Sequence, residues 1–187
     1  MIGRNKKSQH QEQTKLRVFC SLLWIFVGVA CSSARAQSET EYIDKANGFK
    51  IRLSSNWRAV LYTDAVGQQK TEFVCESRSQ GVLRITREDL RGVSLRDLAR
   101  KEIANFELCN SCVTTGHDEF SGDSLSGIRV TVQYAEGNRR LIATFYFLQE
   151  KNAAWILRFN GQAGIPGMSQ SVTDTLARSF CSVCLFP

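Results

Sequence analysis

Residues 140–149, "RLIATFYFLQ", decide the fold because this stretch is apolar on both of its faces. Successive side chains of a β-strand point to opposite faces, and the two sets here are Leu141, Ala143, Phe145 and Phe147 against Ile142, Tyr146 and Leu148. A second apolar run, residues 153–159, follows a turn at residues 151–152. An antiparallel sheet with such strands at its centre must be covered on both sides.

The hydrophobic pattern to either side of these runs predicts further strands and two helices. Alternating or short apolar runs predict strands over residues 49–53, 57–63, 71–76, 82–87, 113–120 and 127–134. A turn at residues 54–56 would join the first two as a hairpin. Apolar side chains at helical spacing predict a helix over residues 94–108, with a capping-box-like start at Ser94 and Asp97, and a second helix that ends near Cys181. This order predicts a single α+β domain with helices packed on an antiparallel meander of about six to eight strands.

Residues 1–36 have the pattern of a secretory signal peptide. Basic residues precede an apolar run over residues 18–31, and small residues follow in the stretch "ARA" at 34–36. The run is shorter than the roughly 20 residues that a spanning helix needs. Cleavage after Ala36 and export to the periplasm or the exterior are therefore expected. Two alternatives are a lipoprotein signal with the lipid on Cys31, and a membrane anchor that is not cleaved.

Removal of this leader changes the charge of the chain. The leader contains six of the 24 lysine and arginine residues and one of the 18 aspartate and glutamate residues, which leaves residues 37–187 with a net charge of +1. Nucleic-acid binding needs a basic face, so the mature domain is not expected to bind nucleic acid. Residues 37–187 are long enough for one domain with a real core, and that domain is not expected to span a membrane.

The predicted domain contains the stretches "YID" at residues 42–44 and "NGFKIRL" at residues 47–53, then Trp57, and it closes with "LARSF" at residues 176–180. Together with the order of the elements between them, these stretches resemble the PsbP family, the photosystem II extrinsic subunits and their exported bacterial relatives. The resemblance implies an α-β-α sandwich, in which helices flank a central antiparallel sheet, and an accessory, non-catalytic role. The family's metal site is not carried over, because residues 37–187 contain one histidine.

Five cysteines follow the leader: Cys75, Cys109, Cys112, Cys181 and Cys184. The last four form two Cys-x-x-Cys pairs, and each pair comes just after the C-terminal end of a predicted helix. The negative end of the helix dipole disfavours a thiolate there, which argues against redox catalysis. Because an exported protein meets an oxidising compartment, we expect these four cysteines to form disulfides and Cys75 to stay a free thiol.

The pairing of these disulfides depends on where the two helices lie. If the helices lie side by side on one sheet face, cross-links would join Cys109 and Cys112 to Cys181 and Cys184. The first bridge would then close a loop of about 70 residues and contribute about 4 kcal/mol, far more than a local ring. The alternative is a structural zinc ion bound by the same four cysteines. Apart from that zinc ion, no cofactor is expected.

The stretch "GDSL" at residues 122–125 matches the signature of an esterase family in which Ser124 would be the nucleophile. Such a serine needs a histidine base, and in that family the histidine lies far downstream. Here the histidine after the leader is His117, upstream of the motif. We interpret "GDSL" as a polar turn, with an esterase as the disfavoured alternative. We interpret His117, Asp118 and Glu119 as a solvated strand end rather than a metal site.

Aromatic and basic residues suggest two further sites. Trp57 and Trp155 would line a ligand pocket or, as expected more often, pack in the core. A basic run consists of Arg84, Arg87, Arg91, Arg96 and Arg100. It would bind an acidic partner, but the acidic residues interleaved with it favour a solvated face. With no coherent catalytic set, the expected function is that of an exported, non-catalytic accessory or binding domain, stapled by disulfides. Its protein or small-molecule ligand is not identified by the sequence.

Overall fold

Antiparallel strands are the main secondary structure of the described residues. The computed structural model describes residues 39–67, 69–106 and 112–182. Within these residues the strands are β1 (Thr40–Asp44), β2 (Phe49–Leu53), β3 (Trp57–Thr63), β4 (Gln69–Cys75), β5 (Gly81–Asp89), β6 (Val113–Ser121), β7 (Ser126–Glu136), β8 (Arg139–Glu150), β9 (Ala153–Gln162) and β10 (Cys181–Ser182). The helices are α1 (Leu95–Phe106) and α2 (Gln170–Ser179), and a 3₁₀ turn (Pro166–Met168) precedes α2.

The strands form two antiparallel sheets. In the part of the chain that is described, the large sheet has the order β3-β4-β5-β9-β8-β7-β6, and the small sheet has the order β1-β2-β10. The predicted hairpin of residues 49–53 and 57–63 is therefore wrong, because β2 pairs with β1 and β10 while β3 pairs with β4. The turn between them is closed by a 2.9 Å hydrogen bond from the Trp57 N–H to the Ser54 carbonyl. This turn sends the chain into the other sheet.

The stretch that is apolar on both faces lies at the centre of the large sheet, as predicted. In β8, Phe145 and Phe147 belong to one buried cluster, while Tyr146 and Leu148 belong to another. These four residues are at most 2% exposed. Each face of the large sheet therefore has a core of its own, and β8 contributes to both.

Different layers cover the two faces. Helix α1 packs on one face through Leu95, Ala99 and Ile103. The cluster on the opposite face contains residues of the small sheet and of α2, namely Phe49, Ile51, Leu53, Leu176 and Ala177. The architecture is α+β, but the expected α-β-α sandwich is matched only in part, because a three-stranded sheet lies beside the helix in one of the two layers.

Helix α1 begins, and helix α2 ends, close to the predicted position. Before α1, the Ser94 hydroxyl accepts a hydrogen bond from the Asp97 N–H (3.1 Å) and donates to the Asp97 carboxylate (2.7 Å), which is the predicted start. The prediction extended α1 to residue 108, but residues 107–108 lie outside the described residues. Helix α2 begins at Gln170 because the chain before it forms the 3₁₀ turn. Neither described helix combines the length and hydrophobicity that crossing a membrane requires.

A polar network attaches α2 to the large sheet. Arg129 of β7 donates to both carboxylate oxygens of Asp174 in α2, at 3.0 and 2.9 Å, and to Asp118 of β6 at 2.7 Å. The Tyr146 hydroxyl donates to Asp174 at 2.7 Å and bonds to the Thr173 hydroxyl at 2.9 Å. Burial raises the pKa of Tyr146 well above its usual value. The hydroxyl therefore stays protonated, and the network is a structural lock.

Candidate functional site

The large sheet opens between β4 and β5. Three residue pairs join these strands, ending at Phe73 and Leu83, although β4 begins four residues earlier and β5 continues for six residues more. In the same register Thr71 would pair with Ile85, but that pair does not form. Residues 69–72 of β4 and residues 84–89 of β5 are still strands, but they are not paired with each other. We call the resulting opening the sheet cleft.

Backbone groups of β5 point into this opening. The Gln80 carbonyl and the Leu90 N–H form hydrogen bonds on the β9 side of the strand, so the even-numbered residues of β5 bond to β9 and the odd-numbered residues face β4. The odd-numbered residues beyond the last ladder pair are Ile85, Arg87 and Asp89. Within residues 39–67, 69–106 and 112–182, their cleft-facing N–H and C=O groups have no backbone partner. The sheet cleft therefore contains a free strand edge.

The sheet cleft has a volume of about 710 Å³, which is within the usual range for ligand sites. Its lining comes from three parts of the fold. The β1–β2 turn contributes Asp44 and Asn47, and the β3–β4 hairpin contributes Tyr62, Lys70 and Thr71. Strands β5 and β9 contribute Arg84, Ile85, Arg87 and Trp155.

Several charged groups of the sheet cleft are already paired within the protein. The Asp44 carboxylate accepts hydrogen bonds from the backbone N–H and the Nδ2 of Asn47, both at 2.9 Å. Lys70 Nζ lies 2.8 Å from Asp64 Oδ2, and this hydrogen bond raises the pKa of Lys70. Arg84 Nε donates to the carboxylate of a buried glutamate in β4 at 2.8 Å. These groups have little capacity left for a ligand.

Arg87 differs from these residues because its guanidinium forms two long ion pairs but no hydrogen bond within the described residues. It lies over the Trp155 ring, 5.8 Å from the ring centroid. Its nearest carboxylate oxygens, on Glu150 and Asp89, are 3.7 and 3.9 Å away, which is too far for a hydrogen bond. A guanidinium with unused N–H groups beside a free strand edge suits recognition of a carboxylate.

Trp155 connects the sheet cleft with the core. It is 3% exposed, and its Nε1 donates to Glu150 at 2.9 Å. The Ser182 hydroxyl donates to the same carboxylate, and this second hydrogen bond lowers the pKa of Glu150 against the effect of burial. Trp57 is also buried, at 4% exposure. Both tryptophans are therefore core residues, as expected, but Trp155 also lines the cleft.

Cys112 and Cys181, the described member of each cysteine pair, lie far apart in the fold. Cys112 packs against the cluster that contains α1, and its neighbour Val113 is level with Ile142 of β8. Cys181 is in the small sheet, on the opposite face, and the residue after it bonds to Glu150 of β8. The eight residues between these two positions of β8 span about 26 Å.

This separation removes the premise of the expected cross-links, because the helices lie on opposite faces rather than side by side. A disulfide or a shared zinc ion between Cys112 and Cys181 does not fit the distance. Among the described residues, no group of three metal-ligating side chains is close enough to hold a metal ion. Cys181 is a free thiol here, and Cys109 and Cys184 lie outside the described residues. The pairing of these four cysteines therefore stays a prediction.

Cys75 is expected to resist alkylation in the folded protein. It is a free thiol with no exposed surface, and burial, with the nearby Glu76, raises its pKa. Because the thiolate is the reactive form, iodoacetamide should modify Cys75 only after denaturation. Mass mapping of the labelled peptides, with the same reaction in urea as the control, measures this. Rapid labelling of Cys75 in the native protein would show that the site is accessible.

Ser124 lies in the turn between β6 and β7, and this turn contacts the end of α2. The Asp123 N–H donates to the Arg178 carbonyl at 3.0 Å, and the Asp123 carboxylate pairs with Arg52 at 3.0 Å. His117 lies four residues before the end of β6, which places it about 13 Å along the strand from the turn. The imidazole therefore does not reach Ser124, and the geometry favours the polar-turn interpretation.

Sequence reasoning did not predict the sheet cleft. The solvated face predicted for the basic run fits exposed residues of α1 such as Arg100, which pairs with Asp97 at 2.9 Å. The same interpretation missed Arg84 and Arg87, which line the cleft. The available signal was the alternation of Ile85 and Arg87 on one face of β5, but it does not reveal where a ladder ends.

Comparison with known proteins supports the fold alone. No protein-family model matches the sequence, and no curated protein matches it. Among solved structures, the chain is similar to cyanobacterial PsbP (CyanoP) from Synechocystis sp. PCC 6803, with a TM-score of 0.55 and 14% identity over 82% of this chain and 97% of that chain.

Two other solved structures are similar to the same extent. One is the Ran-binding protein Mog1p of Saccharomyces cerevisiae, with a TM-score of 0.54 and 7% identity over 79% of this chain and 97% of that chain. The other is LpqN of Mycobacterium tuberculosis, a protein involved in cell envelope biogenesis, with a TM-score of 0.56 and 8% identity over 78% of this chain and 91% of that chain. At such identities the likeness shows a shared fold, of the PsbP-like and Mog1-like kind, and no function.

Proposed function

We propose that the protein is an exported, non-catalytic accessory or binding domain of PsbP-like architecture that binds its ligand in the sheet cleft. The observation that carries this proposal is the combination of a free strand edge and a guanidinium whose N–H groups form no hydrogen bond within the described residues. Both belong to β5, and both line one opening of about 710 Å³. Export rests on the signal-peptide pattern of residues 1–36.

A non-catalytic role is supported by the positions of the residues that could carry chemistry. Among the described residues no histidine lies within reach of Ser124, and Cys75 is a buried thiol with a raised pKa. The zinc alternative needs both cysteine pairs in one place, whereas Cys112 and Cys181 lie on opposite faces of the large sheet. The sheet cleft is therefore the site that the geometry favours.

Photo-cross-linking in cells that export the protein tests this proposal. Benzoylphenylalanine replaces either Tyr62, which lines the sheet cleft, or Val113, which is 62% exposed on the edge strand β6. Irradiation should give an adduct at position 62 that is absent at position 113. Mass spectrometry of the adduct identifies its class, whether small molecule or polypeptide.

The two positions make a matched pair, because both probes are introduced on strands of the same sheet. Adducts of equal yield at both positions would indicate non-specific contact and contradict the proposal. Absence of any adduct at position 62, in protein shown to be folded and exported, would contradict it as well.

A further inference from the structure

The free edge of β5 is suited to accept another strand. Ile85 and Arg87 direct backbone N–H and C=O groups into the sheet cleft, and such groups are most stable when hydrogen-bonded. An added strand lies about 4.8 Å from its neighbour. Main-chain pairing of this kind provides affinity, while adjacent side chains provide specificity.

We propose that the ligand is an extended peptide segment that adds antiparallel to β5 and places an acidic side chain on Arg87. This inference rests on the proposed function and deepens it by naming the class of ligand. A peptide strand uses both features of the sheet cleft, the free backbone edge and the guanidinium, whereas a small anion would use the guanidinium alone.

The N–H groups of Arg87 favour an acidic side chain because they form ion pairs with Glu150 and Asp89 but no hydrogen bond. Arg87 has no hydrogen-bond acceptor in the described part of the chain, and its side chain is 50% exposed. The carboxylate of Glu150, at 3.7 Å, accepts from Trp155 and Ser182 instead. A ligand carboxylate can therefore form the charge-assisted hydrogen bonds that the protein itself does not supply.

Strand pairing also fixes the order of the recognised side chains. Ile85 and Arg87 are both odd-numbered, so they share a face, and that face carries Trp155. In an antiparallel partner, the residue opposite Arg87 comes two positions before the residue opposite Ile85. The recognised pattern is therefore an acidic residue, then any residue, then an apolar residue.

A labelled eight-residue peptide, Thr-Thr-Glu-Thr-Val-Thr-Thr-Lys, tests the pattern by fluorescence anisotropy. Arg87→Gln should weaken its binding by about tenfold or more, the loss expected for a charge-assisted hydrogen bond. Arg96→Gln, on the exposed side of α1, is the matched control and should change binding by less than about twofold. Exchange of the glutamate and the valine should weaken binding as much as Arg87→Gln does. Equal affinity of both peptides would overturn the proposed order.

Amide hydrogen exchange, followed by heteronuclear NMR, tests strand addition independently of affinity. In the free protein the amides of Ile85 and Arg87 should exchange faster than those of Arg84 and Thr86, which bond to β9. The peptide at saturation should protect the first two amides and leave the other two unchanged. A peptide with alternate backbone nitrogens methylated should give neither binding nor protection. Binding of the methylated peptide as tight as that of the parent would overturn strand addition.

The failure of this inference is distinguishable from the failure of the proposed function. A small-molecule adduct at position 62, with no binding of the peptide, would overturn the inference and leave the sheet cleft as the binding site. Adducts that do not depend on position would overturn the proposed function itself.

Discussion

Replacing Gly127 with alanine should lower the free energy of unfolding by about 4 kcal/mol or more. Gly127 of β7 pairs with Leu148 of β8 in the antiparallel ladder. A Cβ atom at this position would collide with the Phe147 carbonyl oxygen and would lie 2.8 Å from the Phe147 carbonyl carbon and 3.1 Å from Leu148 Cα. These atoms are backbone atoms of a buried central strand, so they cannot rotate away. The strands would have to separate where Tyr146 and Leu148 pack in the core.

Gly116→Ala is the matched control for this prediction. Gly116 lies on the edge strand β6, beside an irregularity in the register, and an added Cβ would be 3.6 Å from Asp118 Oδ2 and 3.7 Å from Thr131 Cβ. These are ordinary contacts, so the free energy of unfolding should change by less than about 0.5 kcal/mol. Urea denaturation, with the m-value compared among the three proteins, measures both effects. Similar midpoints for the two variants would show that β7 and β8 are not as close as described.

The central strands were predictable because their signal is local. Residues 140–149 are apolar on both faces, and this pattern alone places β8 in the middle of a sheet with two cores. Strand β1 was not predicted, because the polar sequence before Phe49 gives it a weak alternation. The pairing of β2 also depends on a partner, Cys181–Ser182, that lies more than a hundred residues away. Periodicity identifies a strand but does not identify its neighbours.

The sheet cleft was not predictable because it depends on contacts between the two sheets. The start of β4 bonds to the small sheet, with the Tyr42 hydroxyl 3.1 Å from the Thr71 hydroxyl and the Tyr42 ring edge-on to Phe73. We infer that these contacts hold β4 away from β5, so that the ladder ends at Leu83. No local pattern encodes this competition, and the alternation of Arg87 with acidic neighbours favoured a solvated face instead. The side-by-side helices that the predicted cross-links required were not predictable for the same reason, since sequence spacing did not show on which face each helix lies.

Asp174→Ala should lower the free energy of unfolding by about 3 kcal/mol. Asp174 and Arg129 form a largely buried pair, with side-chain exposures of 18% and 15%. The Asp174 carboxylate accepts two hydrogen bonds from Arg129 and one from the Tyr146 hydroxyl. Removing it leaves a mostly buried guanidinium with fewer partners, which costs more than the loss of the pair itself. Helix α2 should then dissociate more easily from the large sheet, because this network joins them.

Two further variants separate this explanation from a general effect of charge. Asp118→Ala removes the other carboxylate that binds Arg129, at 2.7 Å, but Asp118 is 53% exposed, so the loss should stay below about 1 kcal/mol. Arg129→Met combined with Asp174→Leu removes both charges and fills the space, and it should recover most of the stability lost in Asp174→Ala. Chemical denaturation of the four proteins decides between the explanations. If Asp174→Ala and Asp118→Ala were equally stable, the lock between α2 and the sheet would have to be apolar, through Leu176 and Ala177, rather than ionic.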